Sequence, residues 1–207
     1  MRLLPTVERL IETIGLMPTD CHRGLPRNTE YRGLGLGGGA ISIEEGMLLV
    51  GLAWSIKPNF IIELGTSKAA SSLFLAAALA DIGRGHVITV DTADSIPNDA
   101  YAIQQKLMLP LRFVNKMHSI EFLDSFEVHE SLQYLVFSDT EISVRPKEVA
   151  KVLAKYPKGT IIAVHDTSDL HPRGPMRLRQ ELAGIVGRSF EVVQIPSPRG
   201  LSLLEVL

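Results

Sequence analysis

The chemistry-bearing residues of this 207-residue chain collect where short apolar runs stop. Phe60-Ile61-Ile62 runs into Glu63, and His86 to Val90 into Asp91. Leu111-Arg112-Phe113-Val114 is followed by Met117-His118-Ser119, Leu132 to Phe137 by Ser138-Asp139, and Thr160 to Val164 by His165-Asp166. Carboxylates accept hydrogen bonds from hydroxyls and bind hard cations, and an imidazole can take a proton near neutral pH. A strand needs no acid at its end in order to fold. Taken singly, each acid reads equally well as a solvated turn residue or a helix cap. Taken together they point to a site, because an open parallel sheet binds ligands beyond the carboxyl ends of its strands.

The stretch from Phe60 to Asp91 carries the strongest signal. An apolar run ending in Glu63 leads into the small-residue turn Gly65-Thr66-Ser67, then into an alanine-rich helical segment, Ala69 to Ile82, which Gly83 and Gly85 stop. A second apolar run then ends in Asp91. This is a strand–loop–helix–strand unit suited to a nucleoside. The loop and helix start offer free N–H groups to a negative ligand group, and the acid after the second strand can accept hydrogen bonds from ribose hydroxyls. No G-x-G-x-x-G turn follows the first strand, which argues against a nicotinamide-dependent oxidoreductase.

Glu63-Leu64-Gly65-Thr66, Ser71 and Val87-Ile88-Thr89-Val90-Asp91 resemble the cofactor region of class I S-adenosylmethionine-dependent methyltransferases. The resemblance is closest to the small O-methyltransferases of the catechol O-methyltransferase type and of the macrocin O-methyltransferase and cephalosporin-hydroxylase-like group. It implies an α/β Rossmann-like fold with a mostly parallel seven-stranded sheet, order 3-2-1-4-5-7-6, the last strand antiparallel, and helices on both faces. It implies S-adenosyl-L-methionine as cofactor, with Gly65, Thr66, Ser67 and Ser71 along its methionine portion. Asp91 would bind the ribose, His118 and Ser119 would flank the adenine, and Glu63 would touch the cofactor or orient the loop. The chain departs from the family pattern at Ala69, usually glycine there, and at Lys68. A methyl group at Ala69 would crowd a close-approaching cofactor, and Lys68 could reach its carboxylate. A non-catalytic domain of the same fold therefore stays open as an alternative.

The same resemblance implies that Asp139 and Asp166 hold a divalent metal such as Mg²⁺, with Glu141, Thr167 and Asp169 nearby to complete the shell. Asp139 has a second reading, as the partner of the cofactor's ammonium group or as a helix cap. Mg²⁺ would act as a Lewis acid on an acceptor hydroxyl. His165 and Asp139 are the expected catalytic residues, His165 as general base. If strand geometry persisted to Asp166, the side chains of His165 and Asp166 would face opposite sides of the sheet, so the chain must turn between them for both to contribute. The expected substrate is a small-molecule hydroxyl on a sugar, phenol or natural-product intermediate.

Helices between the runs position these groups. Ser42-Ile43-Glu44-Glu45 matches a capping box and opens a helix to about Ile56. Further helices are expected over Asn98 to Leu109, Ser119 to Glu130, Pro146 to Tyr156 and Met176 to Val186. Phe190 to Ile195 and Leu201 to Val206 are joined too closely for a parallel crossover and must form a hairpin. Leu10, Ile11, Ile14 and Leu16 suit a short amphipathic helix near the start. The glycine-rich segment Gly33 to Gly39 lacks the strand before it and the Lys-Ser/Thr pair after it that a phosphate cradle needs. Residues 1–40 thus read as a helix plus a flexible lid or oligomer contact, and residues 41–207 as one core. A net charge of −2 gives no reason to expect nucleic acid or a membrane surface. A single cysteine, Cys21, excludes an intrachain disulfide and suits a cytoplasmic location.

Overall fold

The computed structural model describes residues 4–14, 41, 43–94, 96–167, 180–182, 184–185, 192–195 and 199–207. The strands are β1 (Phe60–Leu64), β2 (His86–Val90), β3 (Leu111–Val114), β4 (Tyr134–Ser138), β5 (Ile161–His165), β6 (Val192–Ile195) and β7 (Leu201–Glu205). They form one seven-stranded sheet in the order β3-β2-β1-β4-β5-β7-β6. The pairs β1–β2, β2–β3, β1–β4 and β4–β5 are parallel, while β7 runs antiparallel to both β5 and β6. The expected order and the terminal hairpin are both present.

Alternation along the central strands divides the core in two. Ile61, Val87, Leu135, Phe137 and Ala163 meet the layer formed by α1 (Pro5–Ile14), α2 (Ile43–Ile56), α3 (Ala70–Ile82) and α4 (Asn98–Leu107). Ile62, Leu64, Ile88, Val136, Ile162 and Val164 meet α5 (Ser119–Ser125) and α6 (Arg145–Lys155) on the other face. Residues 180–182 and 184–185 are also helical. Ala70 through Leu79 are all buried, because α3 lies between the sheet and helices α1 and α2. A helix enclosed on that many sides cannot be amphipathic, and its small residues let the neighbours approach. Gly46 of α2 is one such approach: a Cβ there would sit 2.8 Å from the Phe74 ring.

Several expectations need correction at the edges. The helix after His118 ends at Ser125 rather than Glu130, because Phe126, packed against Phe60, Phe122 and Tyr134, is already extended. Helix α1 is present with Val7, Leu10 and Ile14 buried, and the Asp81 carboxylate accepts from the Thr6 and Val7 N–H groups at its start. Leu16, the glycine-rich segment, Ser42 of the capping box and residues 168–179 lie outside the described residues, as does much of the expected Met176–Val186 helix.

Ala69 takes the left-handed conformation (φ 65°) at the start of α3. Glycine would take this conformation without strain. A left-handed alanine costs about 1–2 kcal/mol. Its methyl is buried beside Ile96 and Ala100, a contact worth about 0.8 kcal/mol, and alanine restricts the unfolded chain more than glycine. These effects nearly cancel. Ala69→Gly is accordingly expected to change stability by less than ~1 kcal/mol in a denaturant titration. A loss above ~2 kcal/mol would show that the strain is absent.

Candidate active site

A cavity of about 460 Å³ opens at the carboxyl ends of the parallel strands, well within the range of small-molecule sites. Gly65, Ser67, Asp91, His118, Ser119, Asp139 and Asp166 all contribute to its lining. These are expected site residues from five different strand ends, gathered by the parallel topology. Glu63, Thr66, Ser71 and His165, also expected there, are buried and absent from the lining.

The turn after β1 is shaped by two constraints. Gly65 has φ +95° and a Cβ on it would lie 2.5 Å from the Asp139 carbonyl oxygen, so the loops after β1 and β4 touch through main chain. The Asp91 carboxylate then ties the turn to β2: Oδ2 accepts from the N–H groups of Thr66 (2.9 Å) and Ser67 (2.8 Å), and Oδ1 from that of Ala93 (2.9 Å). A carboxylate offers about four acceptor positions, so capacity remains for a ligand hydroxyl. Asp91 thus holds the turn open as well as lining the cavity. Neither Ala69 nor Lys68 lines the cavity, so the methyl group that threatened to crowd a ligand points into packing instead.

Of the two roles expected of Glu63, its burial beneath the turn fits orientation of the loop, and it does not line the cavity. It shares a sheet face with Thr89 and accepts a hydrogen bond from Ser72 of α3, while the Thr66 and Thr89 hydroxyls pair at 2.6 Å. Burial pushes its pKa from 4.5 up to about 7, with the hydroxyls of Ser71, Ser72 and Thr89 opposing the rise. Thr66 and Ser71 belong to this same polar plug beneath the turn.

His165 is corrected as a general base. The strand ends at His165, and Asp166 turns the chain with φ 58°, which brings the two side chains together. His165 Nδ1 donates to Asp139 Oδ1 (3.0 Å) and lies 3.7 Å from Asp166 Oδ1, while Nε2 lies 3.4 Å from Glu45 Oε2. Burial alone would lower the imidazole pKa; the carboxylates of Asp139, Glu45 and Asp166 outweigh it and lift the pKa to about 10. The surrounding carboxylates thus favour the imidazolium, the form that cannot act as a base, although Nε2 makes no hydrogen bond.

Four residues central to this cluster were not identified as site residues by sequence reasoning. Arg145, at the first position of α6 and 3% exposed, donates from Nη2 to Asp139 Oδ1 and Asp166 Oδ2, both at 3.0 Å. It also donates from Nε to the Thr140 carbonyl (2.8 Å) and from Nη1 to the His165 carbonyl. Arg199 donates from Nε to Asp166 Oδ1 at 2.6 Å. Glu148 accepts from the hydroxyls of Ser138 and Thr140 and so fixes the loop carrying Asp139. Glu45, read from the sequence as a capping-box acid, is buried against His165 and accepts from the Arg199 N–H at 3.1 Å. The available signal was a surplus of charge in buried segments, which names no partner.

One oxygen each of Asp139 and Asp166 and a ring nitrogen of His165 lie within 4.8 Å of one another, compact enough for a metal. The chemistry of the set does not fit one. Asp139 Oδ1 and both oxygens of Asp166 already face guanidinium N–H groups. Where a metal was expected between Asp139 and Asp166, the structure shows the chain's own guanidinium groups.

Residues 41–121 match the family model described as Rhamnosyl O-methyltransferase/CmcI. No curated protein sequence matches the chain. Among solved structures, the chain is similar to the O-methyltransferase TomG of Streptomyces achromogenes, crystallised with SAM, at TM-score 0.64 and 21% identity over 81% of each chain. It is similar to the SAH-bound methyltransferase PaMTH1 of Podospora anserina at TM-score 0.68 and 15% identity, covering 81% of this chain and 80% of that one. The O-methyltransferase of Bacillus cereus, in complex with SAH, aligns at TM-score 0.65 and 15% identity over 99% of this chain and 90% of that one. The chain has the class I methyltransferase fold. The methyltransferase fold accounts for the sheet order and for a cavity beyond β1, β2 and β4. No described helix is long and apolar enough to cross a membrane.

Proposed function

We propose that this chain is an S-adenosylmethionine-dependent O-methyltransferase acting on a hydroxyl of a small molecule. The observation that carries the reading is Asp91, which binds the turn after β1 from below while lining the cavity above it. Gly65 supports it, since the main chain there approaches Asp139 so closely that any side chain would distort the floor. Asp91 would hold the ribose, the main chain at Gly65 and Ser67 the methionine portion, and His118 and Ser119 the adenine. The family description names a rhamnosyl acceptor, and a sugar or other natural-product hydroxyl is the acceptor class we favour.

The bound cofactor supplies an already activated methyl group on a sulfonium, so the protein's main task is alignment. Asp139 is suited to orient the acceptor. Its Oδ1 is held by Arg145 and His165, while its Oδ2 has no partner among the described residues and its carboxylate borders the cavity. A hydroxyl donating to Oδ2 would be fixed in direction, and its proton would leave to that oxygen as the methyl group is transferred.

Isothermal titration with S-adenosylhomocysteine tests the reading. Wild-type protein should bind, and Asp91→Ala should weaken binding about 100-fold, the value of one or two hydrogen bonds to a charged acceptor. Absence of heat from both cofactor and product with wild-type protein would sink the proposal.

A further inference from the structure

We infer that Arg145, not a divalent cation, is the resident counter-ion of the Asp139–Asp166 pair, and that these carboxylates exclude metal for that reason. The placement of Arg145 is the first argument. It opens α6, at the end of a helix whose dipole repels a cation, and it is 3% exposed. A buried arginine there needs compensation, and Asp139, Asp166 and the carbonyls of Thr140 and His165 provide it. The second argument is how the oxygens are shared. Arg145 Nη2 bridges Asp139 Oδ1 and Asp166 Oδ2, and Arg199 Nε takes Asp166 Oδ1. Two carboxylates are thus matched by two guanidiniums, which keep their charge at any working pH.

A divalent ion seated on the same oxygens would add two positive charges beside Arg145 and would need ligand contacts near ~2.1 Å from groups already committed to it. The guanidinium instead gives the cavity a fixed positive charge that cannot be chelated. Arg145 borders the cavity together with Asp139 and acts through it, as a positioning residue.

Mn²⁺ binding by the full chain, followed through the electron paramagnetic resonance signal of the free ion, tests this without turnover or cofactor. Its outcome is therefore separate from that of the S-adenosylhomocysteine titration. Wild-type protein should leave the free-ion signal unchanged up to about 1 mM, the weak end of carboxylate sites. Arg145→Met, folded as judged by circular dichroism, should take up Mn²⁺ and lose it again on adding Asp139→Asn. Arg145→Lys keeps a cation and should stay metal-free, which covers the case in which the methionine variant does not fold. Uptake of one Mn²⁺ by wild-type protein, abolished by Asp139→Asn or Asp166→Asn, would overturn the inference. A folded Arg145→Met that binds none would also overturn it.

Discussion

Gly65→Ala should lower the melting temperature by roughly 10 °C and remove S-adenosylhomocysteine binding. The residue sits at φ +95°, where an alanine is strained, and its Cβ would meet the Asp139 carbonyl oxygen at 2.5 Å and carbonyl carbon at 2.8 Å. Both of those atoms are main chain, so relief requires the loops after β1 and β4 to separate. Strain and displacement together should cost about 3 kcal/mol or more, and in a chain of this size each kcal/mol shifts the midpoint by about 2–4 °C. The separation would also move Asp139 away from Asp91. Scanning calorimetry with a parallel titration checks both effects, and a variant melting within about 2 °C of wild type would contradict the contact. Ala69, four residues on, is the internal control: its φ is also positive, yet its methyl has room.

Glu63→Gln should stabilise the protein at pH 8 by up to about 3 kcal/mol and leave it nearly unchanged at pH 4. The carboxyl is fully buried and its pKa rises from 4.5 to about 7 on folding. Between those values the folded state holds a proton that the unfolded state has released, so stability falls as pH rises through the window. At about 1.4 kcal/mol per pH unit the loss amounts to about 3 kcal/mol. Glutamine cannot ionise and can still accept from Ser72, so the variant avoids the loss. His165 contributes a second decline as pH rises from 6.5 toward about 10, present in both proteins and cancelling in their difference. Urea titrations at several pH values measure that difference. A gap between wild type and variant that does not widen from pH 5 to 8 would mean that Glu63 is better solvated than its burial implies and ionises in the folded chain as it does in the unfolded one.

Glu63 and His165 lie off the cavity for one reason. Both sit at the end of a strand, where a sequence places an ionisable group near a ligand face. Strand alternation then decides which layer the side chain enters. Glu63 falls on the face covered by α3 and meets Ser72 and Thr89 instead of the cavity. His165 falls on the face covered by α2, and Glu45, 120 positions earlier in the chain, closes over it.

The sequence alone determined the layout: apolar runs of strand length, each stopped by a polar residue and separated by helical segments, can close only as a largely parallel sheet with those polar ends on one edge. From that follow the terminal hairpin and the presence of Asp91, Asp139, His118 and Ser119 at one cavity, because these depend on local periodicity and chain connectivity, while the strand order was implied by the family resemblance alone. Only the tertiary structure decided the charge state of the site. Whether a carboxylate meets a metal, a proton or a guanidinium depends on groups brought in from elsewhere in the chain, and Arg145, Arg199 and Glu45 arrive from α6, the segment just before β7, and α2. Electrostatic energy falls off with distance in space and is indifferent to distance along the chain.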